Sequence, residues 1–476
     1  MKTYHIILCL LLLGLTSCGN KQAQEKSDRD APVFPDYKEV MVPSNIAPLD
    51  FEIKDAERIV AVFQSADGKE LKVTGERYVK IPMKGWRNLL EVSRGKDIKV
   101  TVSAWTAEKP TGIEYKPFAI HVDNSEIEQY VTYRLIPLEH ETMNKMGIYQ
   151  RNLNNFEETP IVTNEQNDKG CVNCHTPLKQ SAETYLFHSR GEGGGTVISR
   201  GGVLEKINIK ALGPKKMGVY PAWHPDGRFI AFTTNDAKQV AYTGCQDIIE
   251  VYDKKADLIV YDIYNHKVLA DKRFNDAANW ETYPTFSPDG KFLYLCTAKA
   301  VADMPFDVNK LHYSLIRIAF NASNGALGAV DTVYSAAQKG GSISYPRISP
   351  DGRYLLVTYD SCGTFPIQHK EADLKLYDLK TMAEIPQPLL NSDQAESYHA
   401  WNGNGKWIVF SSRRIDGRYT QLYFAAFKNG RFCKPFLLPQ RDPEENTLRI
   451  FSYNVPEIMK AKIKVGKDRM AKLLKP

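Results

Sequence analysis

"YPAWHPDGRFIAFTTN" (220–235), "YPTFSPDGKFLYLCTA" (283–298), "YPRISPDGRYLLVTYD" (345–360) and "YHAWNGNGKWIVFSSR" (398–413) are four copies of one pattern. Each reads as a short strand, a tight turn and a second, apolar strand. The turn has a chemical cause: proline sets one φ, aspartate bonds its own backbone, and glycine tolerates positive φ. In the fourth copy Asn404-Gly405 takes that role. Behind each copy lies an outer hairpin: "KADLIVYDIYNHKVL" (255–269), "HYSLIRIAFNASNG" (312–325), "EADLKLYDLKTMAEI" (371–385) and "YTQLYFAAFKNG" (419–430). The leading tyrosines stand at 220, 283, 345 and 398, a spacing that suits a four-stranded blade with loop insertions. A sheet of that size cannot bury both faces alone, so several must stack in a ring. Residues 183–210 read as one more blade without the Pro-Asp-Gly turn, and 431–455 as strands that could complete the closure, which makes five or six blades, with six expected.

The pattern Tyr-Pro-x-x-Ser-Pro-Asp-Gly resembles the TolB-like β-propellers over residues 181–455. That resemblance implies a binding platform, a translocation partner or the lid of a peptidase, and by itself no single function. The peptidases of this kind carry an α/β-hydrolase domain with a Gly-x-Ser-x-Gly elbow. This chain has neither the elbow nor room for such a domain after the last blade.

Upstream, strand-like runs at 58–64, 69–74, 86–93, 97–105, 113–122 and 131–136 are separated by turn signals such as Asp67-Gly68. They predict a small β-sandwich over 37–136, and hence an all-β chain of two domains. Twenty-five tyrosines, 20 phenylalanines and 31 glycines agree with that class. Residues 137–180 are polar, asparagine-rich and weakly periodic, and read as a connecting segment.

Lys2, an apolar run over 6–15 and then Leu15-Thr16-Ser17-Cys18 form an export signal over 1–17. The last four residues resemble the cleavage box of bacterial lipoproteins, which implies that Cys18 carries a lipid. Residues 18–36 are polar and charged and read as a flexible tether. No later apolar run is long enough to span a bilayer, so the expectation is an envelope protein, periplasmic or associated with the outer membrane, anchored to a membrane without crossing it. Net charge is +6, and part of it lies in a basic tail, 456–476, read as a solvated end. Export takes the chain away from nucleic acid.

One stretch does not belong to the repeat: "NDKGCVNCHTP" (167–177). Cys171, Cys174 and His175 have the Cys-x-x-Cys-His spacing of c-type cytochromes, in which two thiols add to the haem vinyl groups and the histidine coordinates iron. The expected cofactor is therefore one covalent haem c, with His175 as proximal ligand. Other uses stay open: a disulfide, a thiol redox pair, or zinc with His188 as a third ligand. For the sixth iron position the candidate is His188, with Met143 and Met146 as alternatives. His224 and His399 replace residues inside the repeat and read as fold elements. His121 reads as structural, and Cys296 as a buried thiol. His312 and His369 precede second hairpins and are placed towards a propeller end.

Taken whole, the chain resembles a group of exported lipoproteins in which a TolB-like propeller follows a haem-binding Cys-x-x-Cys-His motif. The resemblance extends to "NKMGIYQRNL" (144–153) and "FSSRR" (410–414). It implies a cytochrome-type protein that transfers electrons to a redox partner or docks on an envelope complex. The alternative is a non-catalytic propeller that binds a ligand or protein, with structural or sensory haem or none. Neither reading requires catalysis; an open sixth position would imply haem oxidoreductase chemistry rather than hydrolysis.

Overall fold

The computed structural model describes residues 22–137, 146–209, 218–241 and 249–475. Five antiparallel sheets of four strands and one of five form a six-bladed propeller in an all-β chain. From the inside outward, blade 1 is Val172–Pro177, Tyr185–Ser189, Gly195–Arg200 and Val203–Ile207. Blades 2 to 5 begin with Gly218–Trp223, Asn279–Phe286, Ser342–Ile348 and Glu396–Trp401. Blade 6 is composite: its inner strand, Phe451–Met459, comes from the C-terminal side of the ring. Its outer three, Tyr130–Pro137, Gly147–Asn152 and Glu158–Thr163, precede blade 1 in sequence. Pairing of Val131 with Ile458 and of Leu135 with Tyr453 closes the ring and removes its open edge.

The repeated turns behave as their composition dictates. Gly227, Gly290, Gly352 and Gly405 all have φ between 70 and 79°, and each amide bonds the carbonyl three residues back, as Gly290 does to Ser287 at 2.9 Å. Gly290 is doubly constrained, because a Cβ there would lie 2.4 Å from Nε2 of His224 in the neighbouring blade.

Several sequence expectations change. The sandwich boundary at 136 cuts through the propeller, since 131–136 pairs with blade 6 and not with the N-terminal sheet. The connecting segment 137–180 is mostly blade, and the Cys-x-x-Cys-His motif runs into the inner strand of blade 1 rather than lying on a loop between domains. The run at 86–93 is helical: Met83–Val92 buries Trp86, Leu89 and Leu90, a spacing of three and four that belongs to a helix face. The tether contains a strand, Glu25–Asp30, parallel to Lys109–Lys116. The basic tail ends in a helix, Lys467–Leu474, whose Met470 and Leu474 are buried against blades 6 and 1. The expected signal peptide and Cys18 lie outside the described residues. Among the described residues no helix is long and apolar enough to cross a membrane.

The N-terminal domain is a seven-stranded sheet with Met83–Val92 and a two-stranded ribbon, Phe51–Glu52 with Tyr78–Val79, beside it. Trp86 meets Phe63 of the sheet edge-on at 6.2 Å. The domain shares one apolar core with blades 4, 5 and 6. It is held there by ion pairs Lys428–Asp123 at 2.6 Å and Lys434–Asp36 at 2.8 Å. This docking covers blade 5, whose fourth strand, Arg431–Phe432, is only two residues long.

Candidate functional site

All six inner strands break register at the same level, and in each the break leaves one residue with positive φ. These residues are Cys174, Tyr220, Tyr283, Tyr345, Tyr398 and Val455, with φ between 47 and 52°. Left-handed backbone is uncommon for a tyrosine and a clear outlier for a β-branched valine, so the fold imposes it six times. Each bulge re-aims one side chain towards the propeller axis. The rings of Tyr283 and Tyr345 lie 4.1 Å apart, those of Tyr220 and Tyr283 4.6 Å, and those of Tyr345 and Tyr398 4.9 Å.

Cys174 is therefore the blade 1 counterpart of the repeat's tyrosine, and His175 stands where the other blades have Pro221, Pro284, Pro346, His399 and Pro456. Sequence reading missed this because the side chain at the bulge changes from tyrosine to cysteine in blade 1 and to valine in blade 6. The usable signals were Val455-Pro456, which keeps the proline, and Tyr398-His399, which shares its histidine with Cys174-His175. Because cysteine and valine sit in adjacent blades, a cavity of about 90 Å³ opens beside the tyrosine cluster, bordered by Arg134, Cys174, His175 and Val455.

The thiols of Cys171 and Cys174 are free, the first half-buried and the second buried. Burial raises the Cys174 thiol above its ordinary pKa despite the Tyr220 amide and nearby Arg190 and Arg134, so the thiolate that redox exchange needs is disfavoured. His175 is 7% exposed and neither ring nitrogen makes a hydrogen bond of ordinary geometry. Burial lowers its pKa to about 3, an effect the Thr132 carbonyl only partly offsets, so the ring is neutral. His188 lies in the second strand of blade 1, with Nδ1 3.2 Å from Oγ1 of Thr196 and Nε2 unbonded, and burial lowers it to about 3 as well. It borders neither of the two cavities that His175 borders. Met146 is packed in the core between blades 6 and 1. Met143 lies outside the described residues.

Haem can be tested against this geometry. The donors suit it: two free thiols and a neutral histidine with unsatisfied nitrogens. The space does not, since the cavity of about 90 Å³ is well below the ~300–1,000 Å³ of ordinary cofactor pockets. The second void beside His175 is about 10 Å³. Zinc fits no better: among the described residues no group of three or more His, Cys, Asp or Glu converges on a metal position.

On the Pro-Asp-Gly side the channel widens into a funnel of about 390 Å³ to which all six blades contribute. Its neck is made two residues after each bulge, by Thr176, Thr285, Arg347 and Glu457 among others, and its rim carries Lys179 and Lys460. Arg347 of blade 4 pairs with Glu457 of blade 6 at 3.0 Å, bridging the inner strands of two blades that are not neighbours. Burial raises the pKa of Glu457, and Arg347 opposes the shift. Thr176 and Arg347 border both funnel and inner cavity.

Four other histidines serve the fold. His224 bonds the Gly290 carbonyl and His399 the Leu356 carbonyl, each at 3.0 Å and each across a blade boundary. His121 lies 2.7 Å from Asp97 in the N-terminal sheet. His369 bridges Asp360 and Glu250, at 2.8 Å for the latter, and the two carboxylates raise it to about 11 despite burial. It is a cation clamping blade 4 to the long hairpin of blade 2. Cys296 is fully buried in its strand.

No family model matches the chain, and no curated protein does. Solved structures similar to it in part include prolyl oligopeptidase B from Galerina marginata, at 11% identity and TM-score 0.36 over 67% of this chain and 42% of that one. The luciferin-regenerating enzyme follows at 12% and 0.37 over 66% and 96%. Oligogalacturonate lyase from Vibrio parahaemolyticus gives 10% and 0.32 over 60% and 84%. The chain thus spans less than half of the oligopeptidase. Likenesses this distant carry no argument about chemistry, and the six-blade assignment rests on the strand pairing itself.

Proposed function

We propose that this chain is a lipid-anchored propeller of the cell envelope that binds a polar small molecule in its funnel, without catalysis. The supporting observation is the funnel itself: about 390 Å³, contributed by all six blades, with a charged neck and two exposed lysines at its rim. That volume lies in the range of small-molecule sites, and a few placed polar groups on a rigid ring are what such a site needs.

A second reading is the cytochrome: covalent haem on Cys171 and Cys174, with His175 as ligand, in a protein that passes electrons to an envelope partner. The motif and the unbonded nitrogens of His175 favour it. It requires more room beside His175 than the cavity of about 90 Å³ offers.

One preparation separates the two. The full chain is purified from its own envelope, run on a denaturing gel for haem staining, and denatured for mass spectrometry of released small molecules. The binding reading expects an unstained band and a released compound that is depleted from the double variant Lys179→Glu/Lys460→Glu. Identical release from both proteins would sink that reading, and a stained band would replace it with the cytochrome.

A further inference from the structure

The inner cavity holds two buried donors that the fold leaves unused. Nε of Arg134 is inaccessible to solvent and has no hydrogen-bond partner, the ring nitrogens of His175 make no hydrogen bond of ordinary geometry although the Thr132 carbonyl lies beside the ring, and both side chains border the same space of about 90 Å³. A neutral imidazole has one N–H to give and a guanidinium cannot lose its proton, so two side chains able to donate border the cavity. Buried donors are satisfied in nearly every native protein, and Arg134, half-buried with its Nε inaccessible, brings a positive charge to this space.

The charge balance around the cavity is positive. No carboxylate pairs with Arg134 among the described residues. Cys174 feels Arg134 and Arg190, His175 feels Arg134 and Arg347, and Tyr398 feels Arg134 and Arg413. Glu457 is already paired with Arg347. Asp253 does not border the cavity, acts on Tyr220 and Tyr283, and accepts a hydrogen bond from Asn235 at 2.9 Å. At ~30 Å³ per water the cavity takes about three water-sized groups. Water could accept from the two donors but would leave the Arg134 charge uncompensated, whereas an anion does both.

We infer that this cavity, opened where Cys174 and Val455 replace the repeat's tyrosine, binds a small monovalent oxyanion of three or four heavy atoms held by Arg134 and His175. In this structure Cys174 is the residue whose small size makes the room, and its thiol is not the reacting group. The inference does not depend on what the funnel binds.

The test is thermal denaturation of the envelope-purified protein with increasing sodium formate or sodium nitrate, ionic strength being held constant with sodium gluconate. The wild type is expected to show a saturable rise in melting temperature. Arg134→Met, which removes the charge at similar length, loses that rise. Cys174→Tyr, which restores the side chain that blades 2 to 5 hold at the same φ, fills the cavity and loses it too. Equal responses in all three proteins would overturn the proposal as a general salt effect. A wild-type response to zinc or copper(I) without one to formate or nitrate would overturn it in favour of a metal. Arg134→Met leaves Cys171, Cys174 and His175 intact, so its haem staining reports on the cytochrome reading independently.

Discussion

Blades 1 and 5 carry the same two-residue device with different contents. In both, a bulge turns one residue left-handed, Cys174 at φ 52° and Tyr398 at 47°, and a histidine follows. In blade 5 the tyrosine packs 4.9 Å from Tyr345 and His399 donates to the Leu356 carbonyl of blade 4. In blade 1 the cysteine leaves a gap and His175 has no such bond, although the Thr132 carbonyl of blade 6 occupies the corresponding place. The backbone is set by the propeller, and the side chains then decide whether a position closes the channel or opens it.

The strongest way to break the contrast is to make blade 5 resemble blade 1. Tyr398→Cys removes a largely covered ring from the tyrosine cluster and leaves a second void. Deleting a large aromatic from a core costs about 3–5 kcal/mol when the surroundings relax only partly. The expected result is a clear fall in denaturation midpoint, measured by urea unfolding. A loss below about 1 kcal/mol would mean that the cluster collapses around the gap, and the cavity at Cys174 would then be soft as well.

The same contrast explains what could be read from sequence. Blades 2 to 5 were legible because their turns need glycine, proline and aspartate, residues whose backbone chemistry leaves a visible mark at fixed spacing. Blades 1 and 6 keep the left-handed bulge but not the tyrosine, so Cys174 and Val455 carried only the weak sign of the proline or histidine that follows. Blade 6 is further hidden because its strands lie at opposite ends of the ring, and pairing such as Val131 with Ile458 has no short-range signature. The helix Met83–Val92 was legible in principle, since Trp86, Leu89 and Leu90 follow a helix period. Cys-x-x-Cys-His stood out as a motif for the same reason that its structural role did not. Its residue types are distinctive, while the register that makes Cys174 a channel residue is a property of the whole ring.

Acid sharpens the comparison next. His175 and His399 both have pKa values held near 3 by burial, against an ordinary value of about 6.5 when unfolded. Between those limits the unfolded chain binds protons that the folded chain does not, so stability falls as pH drops below about 6.5. At pH 4.5 each histidine accounts for about 3 kcal/mol of that loss. Replacing either with proline should flatten the acid limb by that amount relative to wild type, measured as the change in midpoint between pH 7.5 and 4.5. Contributions from other groups cancel in the difference. A variant whose acid limb stays as steep as the wild type's would show that the histidine is already protonated in the fold.

At pH 7.5 the two proline variants should part company, and this is the smallest effect. Proline already occupies the position in blades 2, 3, 4 and 6, and the ladder skips it in each inner strand, so no strand hydrogen bond is lost. His399→Pro leaves the buried Leu356 carbonyl without its donor, at a cost of about 1–3 kcal/mol. His175→Pro removes a side chain that makes no such bond, and is expected to be neutral or to stabilise by up to about 1 kcal/mol through the stiffer unfolded chain. Equal losses at both sites would mean that His175 does bond Thr132 in solution. It would then be a fold histidine like His399, and neither a haem ligand nor the anion's donor.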